Sequence, residues 1–223
     1  IYHEMMAHVP ILAHGAARQV LIVGGGDGGM AREALRHASV ERVVMVEIGA
    51  GVIEFSKRYL PGIGGGAFDD ARLEVVIADG ADYMRAAAER FDVIIVDSTD
   101  PVGPGETLFT DSFYANAKKR LTESGILVTQ NGVPFMQGGE LTGTMRHFKQ
   151  LFSDYGCYIA TIPTYVGGPM AMGWGTDGQG RDVTLDDLER RYQAAGLETR
   201  YYTPAVHKAA FALPGYVSRL IPR

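Results

Sequence analysis

The chain has 223 residues, of which 46% are hydrophobic and 21% charged, with a formal net charge of −5. That length fits one large domain, or a domain with a small appendage, and the apolar share supports a sizeable core. The charge balance gives no sign of a nucleic-acid partner, no apolar run is long enough to span a bilayer, and a single cysteine, Cys157, excludes an internal disulfide. A mildly acidic chain with one thiol and no visible signal peptide fits a cytoplasmic enzyme that handles cations. The chain begins at Ile1 rather than Met, so a segment upstream of it is expected.

In chain order, a helix is expected over 4–13, followed by the apolar run Val20-Leu21-Ile22-Val23, which enters Gly24-Gly25-Gly26-Asp27-Gly28-Gly29. A helix over 28–37 leads to a strand over 43–47 ending at Glu47, a helix over 50–59 and a flexible loop from Gly62 to Gly66. The strand over 73–77 ends at Asp79-Gly80, a helix covers 80–89, and the strand over 92–97 ends at Asp97. Further on, helices are expected over 111–121, 139–153, 185–195 and 205–221, with strands over 125–130, 157–162 and 169–175. Thr184 reads as an N-cap, Gly196 as a helix stop and Pro214 as a break in the last helix.

Strand patterns alternating with helix patterns predict βαβ units, and continuous Val/Ile runs predict strands buried on both faces. The expected fold is α/β, a doubly wound, Rossmann-like seven-stranded sheet in one domain over residues 1–223. In such a sheet ligands bind at the carboxyl ends of the strands, where this sequence places its acids.

The glycine-rich turn formally satisfies G-x-G-x-x-G, with Glu47 about 20 residues on, the pattern of a dinucleotide site. Asp27 argues against it. The motif offers bare backbone N–H groups to a pyrophosphate, and a carboxylate beside the phosphates costs on the order of 1–4 kcal/mol. The same turn suits a ligand carrying a sulfonium or ammonium, and S-adenosyl compounds use a similar strand–turn–helix without phosphate. Glu47 is placed to accept from ribose hydroxyls. Asp79-Gly80 can accept from an adenine amine, although Asp-Gly is also ordinary turn chemistry.

The segment Asp97-Ser98-Thr99-Asp100-Pro101-Val102-Gly103-Pro104 is the most specific in the chain. Two carboxylates this close call for a cation or a proton between them, and a diamine supplies ammonium groups and needs a base. Tyr2 could orient an amine, and Tyr165 could line the methylenes of a diamine. Trp174, Met170 and Met172 read as core. His14, His37 and His147 are scattered without metal-ligand spacing, and no metal is expected.

Together these residues resemble the polyamine aminopropyltransferases, specifically bacterial spermidine synthases. The likeness runs through Tyr2-His3-Glu4-Met5, the Gly24–Gly28 turn, Val46-Glu47-Ile48, Asp79-Gly80 and Asp97-x-x-Asp100-Pro101-x-Gly103-Pro104. It continues through Leu108-Phe109, Gln130-Asn131-Gly132, Ile162-Pro163-Thr164-Tyr165 and the stretch from Tyr201 to Pro214. The resemblance implies a sheet of the S-adenosylmethionine-dependent methyltransferase type. It also implies transfer of an aminopropyl group from decarboxylated S-adenosylmethionine, a co-substrate rather than a cofactor, to putrescine, giving spermidine and methylthioadenosine.

Residue by residue, it implies that Glu47 holds the ribose, with Gly24, Gly26 and Ile48 also in the nucleoside site. Asp79 and Gly80 would hold adenine, Pro104 would lie against the nucleoside, and Asp27 would grip the aminopropyl ammonium. Asp97 would be the general base, with Tyr2, His3, Asp100 and Tyr165 around the diamine. A homo-oligomer, dimer or tetramer, is implied as well. The sequence departs from the family pattern at Gly49, where an Asp is common, and lacks the family's small N-terminal β-domain, from which weak catalysis by this chain is expected. A methyltransferase on the same fold, and a catalytically weak nucleoside- or polyamine-binding protein, remain as alternatives.

Overall fold

The apolar runs become seven strands: β1 (Gln19–Gly24), β2 (Arg42–Glu47), β3 (Leu73–Ile77), β4 (Phe91–Asp97), β5 (Leu121–Gln130), β6 (Asp154–Ala160) and β7 (Met170–Thr176). The helices are α1 (Tyr2–His14), α2 (Gly29–Leu35), α3 (Ala50–Tyr59), α4 (Pro61–Gly64), α5 (Gly80–Ala86), α6 (Asp111–Arg120), α7 (Pro134–Leu151), α8 (Leu185–Ala194), α9 (Pro204–Ala210) and α10 (Gly215–Ser218). This computed structural model describes residues 1–101 and 103–222; Val102, in the segment after Asp97, and Arg223 lie outside the described residues. No helix among the described residues is long and apolar enough to cross a membrane.

One sheet contains all seven strands in the order β3-β2-β1-β4-β5-β7-β6. The β1–β5 ladders are parallel, and β7 runs antiparallel between β5 and β6. Alternate residues of each central strand face opposite layers. Val20, Ile22, Val43, Met45, Val93 and Ile95 pack in a core with residues of α1, α2 and α8. Leu21, Val23, Val44, Val46, Ile94 and Val96 pack in a second core with residues of α5, α6 and α7. Both faces are covered, which is why these strands read as unbroken apolar runs. Trp174, Met170 and Met172 are fully buried core residues.

Several boundaries differ from the sequence reading. Gly62–Gly66 is not a loop throughout: Pro61 starts the short α4, which ends on Gly65 in the left-handed region. Helix α7 begins at Pro134 rather than 139, because proline suits the first helical turn, where its missing N–H goes unneeded. Pro214 breaks the last helix as expected: α9 ends at Ala210 and α10 starts at Gly215, the residue after the proline. Strand β5 starts at Leu121, which pairs with Phe91, and a register shift between Phe91 and Val93 carries the chain across to Ile126 opposite Val93. Thr184 caps α8 by accepting from the Asp187 N–H, as expected.

Candidate active site

Strand order reverses between β1 and β4: the chain builds outward through β2 and β3, then returns to the other side with β4 and β5. A crevice opens at such a switch point, outside the carboxyl ends of the strands. The register brings those ends level, with Gly24 opposite Asp97, Val23 opposite Val46, and Glu47 opposite Ile77. The resulting cleft has a volume of about 140 Å³ and is lined by Gly24, Glu47, Ile48, Asp79, Gly80, Asp97 and Pro104 from the sequence candidates. Leu108, Thr99 and Thr107 also line it.

The glycine turn is shaped by close approaches. Gly24 has φ 87°, and a Cβ there would sit 2.1 Å from the Asp97 carbonyl oxygen. At Gly26 a Cβ would fall 2.8 Å from Glu47 Oε2. Gly26 lets the turn lie against the Glu47 carboxylate. Glu47 is 8% exposed, and its Oε1 accepts from the Gly49 N–H at 2.8 Å. The Gly49 backbone N–H thus fixes one oxygen of Glu47 without any side chain at position 49. Asp79 serves twice. Its Oδ1 caps α5 by accepting from the Ala81 and Asp82 N–H groups at 2.8 and 3.0 Å, and the residue lines the cleft.

Asp27 answers the dinucleotide question geometrically. Its Oδ1 accepts from the Gly29 N–H, the first residue of α2, at 2.8 Å. A donor that a pyrophosphate would need is already taken by a carboxylate. Asp27 Oδ2 lies 3.4 Å from His3 Nε2. Burial raises the Asp27 carboxyl pKa, but the His3 ring, the Gly29 N–H and the nearby Arg32 charge outweigh it and hold it below the usual carboxylate range.

Asp97 behaves differently. Burial pushes its carboxyl up to about 6, helped by the charges of Asp27 and Glu47 and opposed by the Tyr2 hydrogen bond and His3. Tyr2 donates its hydroxyl to Asp97 Oδ1 at 2.6 Å. That bond orients the carboxylate and leaves Oδ2 beside Gly25, where a Cβ would lie 3.3 Å away. A carboxyl tuned near neutrality at the floor of a cleft is suited to taking a proton from a bound amine. Tyr165 is 47% exposed; burial, then Asp97 and Asp100, raise its hydroxyl pKa.

The candidates therefore fall into two groups that meet at Asp97. One lines the cleft. Tyr2, His3, Asp27, Asp100 and Tyr165 are not among its lining residues and gather on the other side, around the Asp97 carboxylate. Two residues carried no assigned role in the sequence. Gln130, at the end of β5, is 3% exposed and keeps its amide oxygen buried without a hydrogen-bond partner among the described residues. Its signal was a polar side chain closing a buried strand. Gln137 donates to Asp100 Oδ2 at 2.9 Å. Glu4, by contrast, is structural: its carboxylate accepts from the N–H groups of Arg200, Tyr201 and Tyr202, tying the C-terminal stretch to α1.

A family model described as the spermine/spermidine synthase domain matches residues 1–186. The polyamine aminopropyltransferase of Ruegeria sp. (strain TM1040) is 69% identical over all 223 residues, which span 78% of that protein. That of Pseudomonas syringae pv. tomato is 55% identical over 97% of this chain and 76% of its own length. A crystal structure of spermidine synthase in complex with the transition state analogue AdoDATO superposes with a TM-score of 0.92 at 38% identity, covering 99% of this chain and 75% of that one.

Proposed function

This chain belongs to the spermine/spermidine synthase family, and on that premise we propose that it is a polyamine aminopropyltransferase that makes spermidine from putrescine and decarboxylated S-adenosylmethionine. The observation that carries the site assignment is the meeting of the two residue groups at Asp97, whose carboxyl is oriented by Tyr2 and poised near pH 6.

Glu47 Oε2 takes the ribose hydroxyls, since Oε1 is spent on Gly49. Asp79 and Gly80 take the adenine edge, with Ile48, Pro104 and Leu108 against the ring. Asp27, held ionised by His3 and the Gly29 N–H, grips the aminopropyl ammonium. The diamine enters on the Tyr2–Tyr165 side with its second ammonium at Asp100.

The reaction is one in-line displacement. The lone pair of the diamine nitrogen forms a bond to the aminopropyl carbon bearing the sulfonium, the carbon–sulfur bond breaks, and neutral methylthioadenosine leaves. An ammonium has no lone pair, so a proton must first leave it, and Asp97 accepts it. Proton transfer of this kind contributes roughly 10²–10⁴-fold. The acids otherwise hold two mutually repelling cations at reacting distance, a contribution of proximity.

A methyltransferase would have to bind the methionine carboxylate, which Asp27 opposes. Calorimetry separates the two: decarboxylated S-adenosylmethionine should bind at least tenfold tighter than S-adenosylmethionine, because both carry the ammonium but only the latter brings a carboxylate against the Asp27 charge. Equal affinity, with methyl transfer, would reverse the assignment.

A further inference from the structure

The first turn of α7 is bent. Val133 offers no side-chain cap, and the backbone leaves helical geometry at Gln137 (φ −119°, ψ 33°). The bend folds the Gln137 side chain back over the turn. Its Oε1 accepts from the Val133 N–H at 3.0 Å, and its Nε2 donates to Asp100 Oδ2 at 2.9 Å. Gly132 makes this possible: φ is 61°, and a Cβ there would lie 2.6 Å from Gln137 Oε1.

Both ends of the amide are used, so its orientation is fixed. Turned over, the NH₂ would face the Val133 donor and the carbonyl oxygen would face a carboxylate. Glu140 follows three residues on. Its Oε1 is buried without a hydrogen-bond partner among the described residues, and burial, then the Asp100 charge, push its carboxyl up to about 7. Two carboxyls, Asp100 and Glu140, are therefore crowded at this end of the site, and Gln137 supplies a neutral donor to the first of them.

We propose that Gln137 is a positioning residue that fixes the Asp100 carboxylate for the non-reacting ammonium of the acceptor, and so sets the preference for a diamine over a monoamine. The proposal rests on the reading that Asp100 receives that ammonium. Asp100 sits on an exposed stretch, where an unheld carboxylate rotates and stays hydrated. A glutamine holds one oxygen without cancelling the charge. An arginine in its place would satisfy the carboxylate and compete with the ligand. A monoamine has no second ammonium and gains nothing from the arrangement.

The test uses Gln137→Glu, which keeps an acceptor for the Val133 N–H, removes the donor to Asp100 and adds a like charge. Acceptors are putrescine and n-butylamine, which carries the reacting nitrogen alone; where n-butylamine turns over slowly, its inhibition constant is read instead. The putrescine KM should rise about tenfold or more, the loss of a charge-assisted bond. Putrescine kcat, the n-butylamine constant and methylthioadenosine affinity should stay within about twofold. Asp100→Asn should raise the putrescine KM similarly, and the double variant should be no worse than Asp100→Asn, because the two act as one unit. Gln137→Met, similar in length without the donor, makes the same prediction should the Glu variant lose methylthioadenosine binding. An unchanged putrescine KM in the Gln137 variants, with Asp100→Asn impaired, overturns the role of Gln137 alone, as does an equal rise for both amines. An unimpaired Asp100→Asn overturns the placement of the ammonium, and the inference with it.

Discussion

Replacing Asp97 by Asn should make the protein more stable and nearly inactive. In the native state burial lifts this carboxyl from 3.8 to about 6. The unfolded chain keeps a value near 3.9. Between those values the native state binds more protons than the unfolded state, so stability falls as pH rises from about 4 to about 6 and stays reduced above. A shift of about two units corresponds to roughly 3 kcal/mol at full burial; partial exposure to the cleft discounts this to about 1–2 kcal/mol. The amide carries no charge, and its oxygen still accepts the Tyr2 hydrogen bond. For a chain of this size the gain is roughly 2–8 °C in Tm at pH 7.5, shrinking toward zero at pH 4. Scanning calorimetry at both pH values measures it, and single-turnover assays measure the loss of transfer. A variant less stable than wild type at pH 7.5, or one that transfers at the wild-type rate, would refute the assignment of a strained, ionised base.

The same carboxyl sets the acid side of the activity profile: kcat/KM should fall below pH about 6, where free Asp97 takes up its proton, and an acid limb near 4 would contradict this. Asp27→Asn should weaken decarboxylated S-adenosylmethionine by about 1.5–3 kcal/mol, roughly 10–100-fold, and methylthioadenosine far less, because only the former carries the ammonium; titration of both ligands would expose an equal loss, which would assign Asp27 to turn structure instead. Glu4→Ala leaves the Arg200, Tyr201 and Tyr202 N–H groups without their acceptor and should cost about 1–3 kcal/mol of stability. The wild-type Glu4 contribution should be present at neutral pH and fade as pH drops, since the native carboxyl, raised by burial but lowered further by those three N–H donors, titrates below its ordinary value.

Much of this site was legible because it lies at strand ends. Apolar runs that stop at an acid give both the strand and the acid's place on the sheet edge, which is how Glu47, Asp79 and Asp97 could be assigned to one cleft. What periodicity could not give was contact between distant segments. Tyr2 lies 95 positions from Asp97, and nothing local in the sequence marks their hydrogen bond. Gln137 was invisible for a different reason. Its part depends on a bend in α7 that Pro134 and Gly132 permit, inside a stretch expected to begin its helix only at 139. The Gly62–Gly66 stretch misled because its glycines suggested freedom, whereas two of them in left-handed conformations stop and redirect a short helix.

This cleft should join an aminopropyl group to a diamine. The direct measurement is product analysis after incubating the chain with decarboxylated S-adenosylmethionine and putrescine. Spermidine and methylthioadenosine should form in equal amounts, with Asp97→Asn as the inactive control. Methylthioadenosine without spermidine, or spermidine at the same rate from the Asp97→Asn variant, would contradict it.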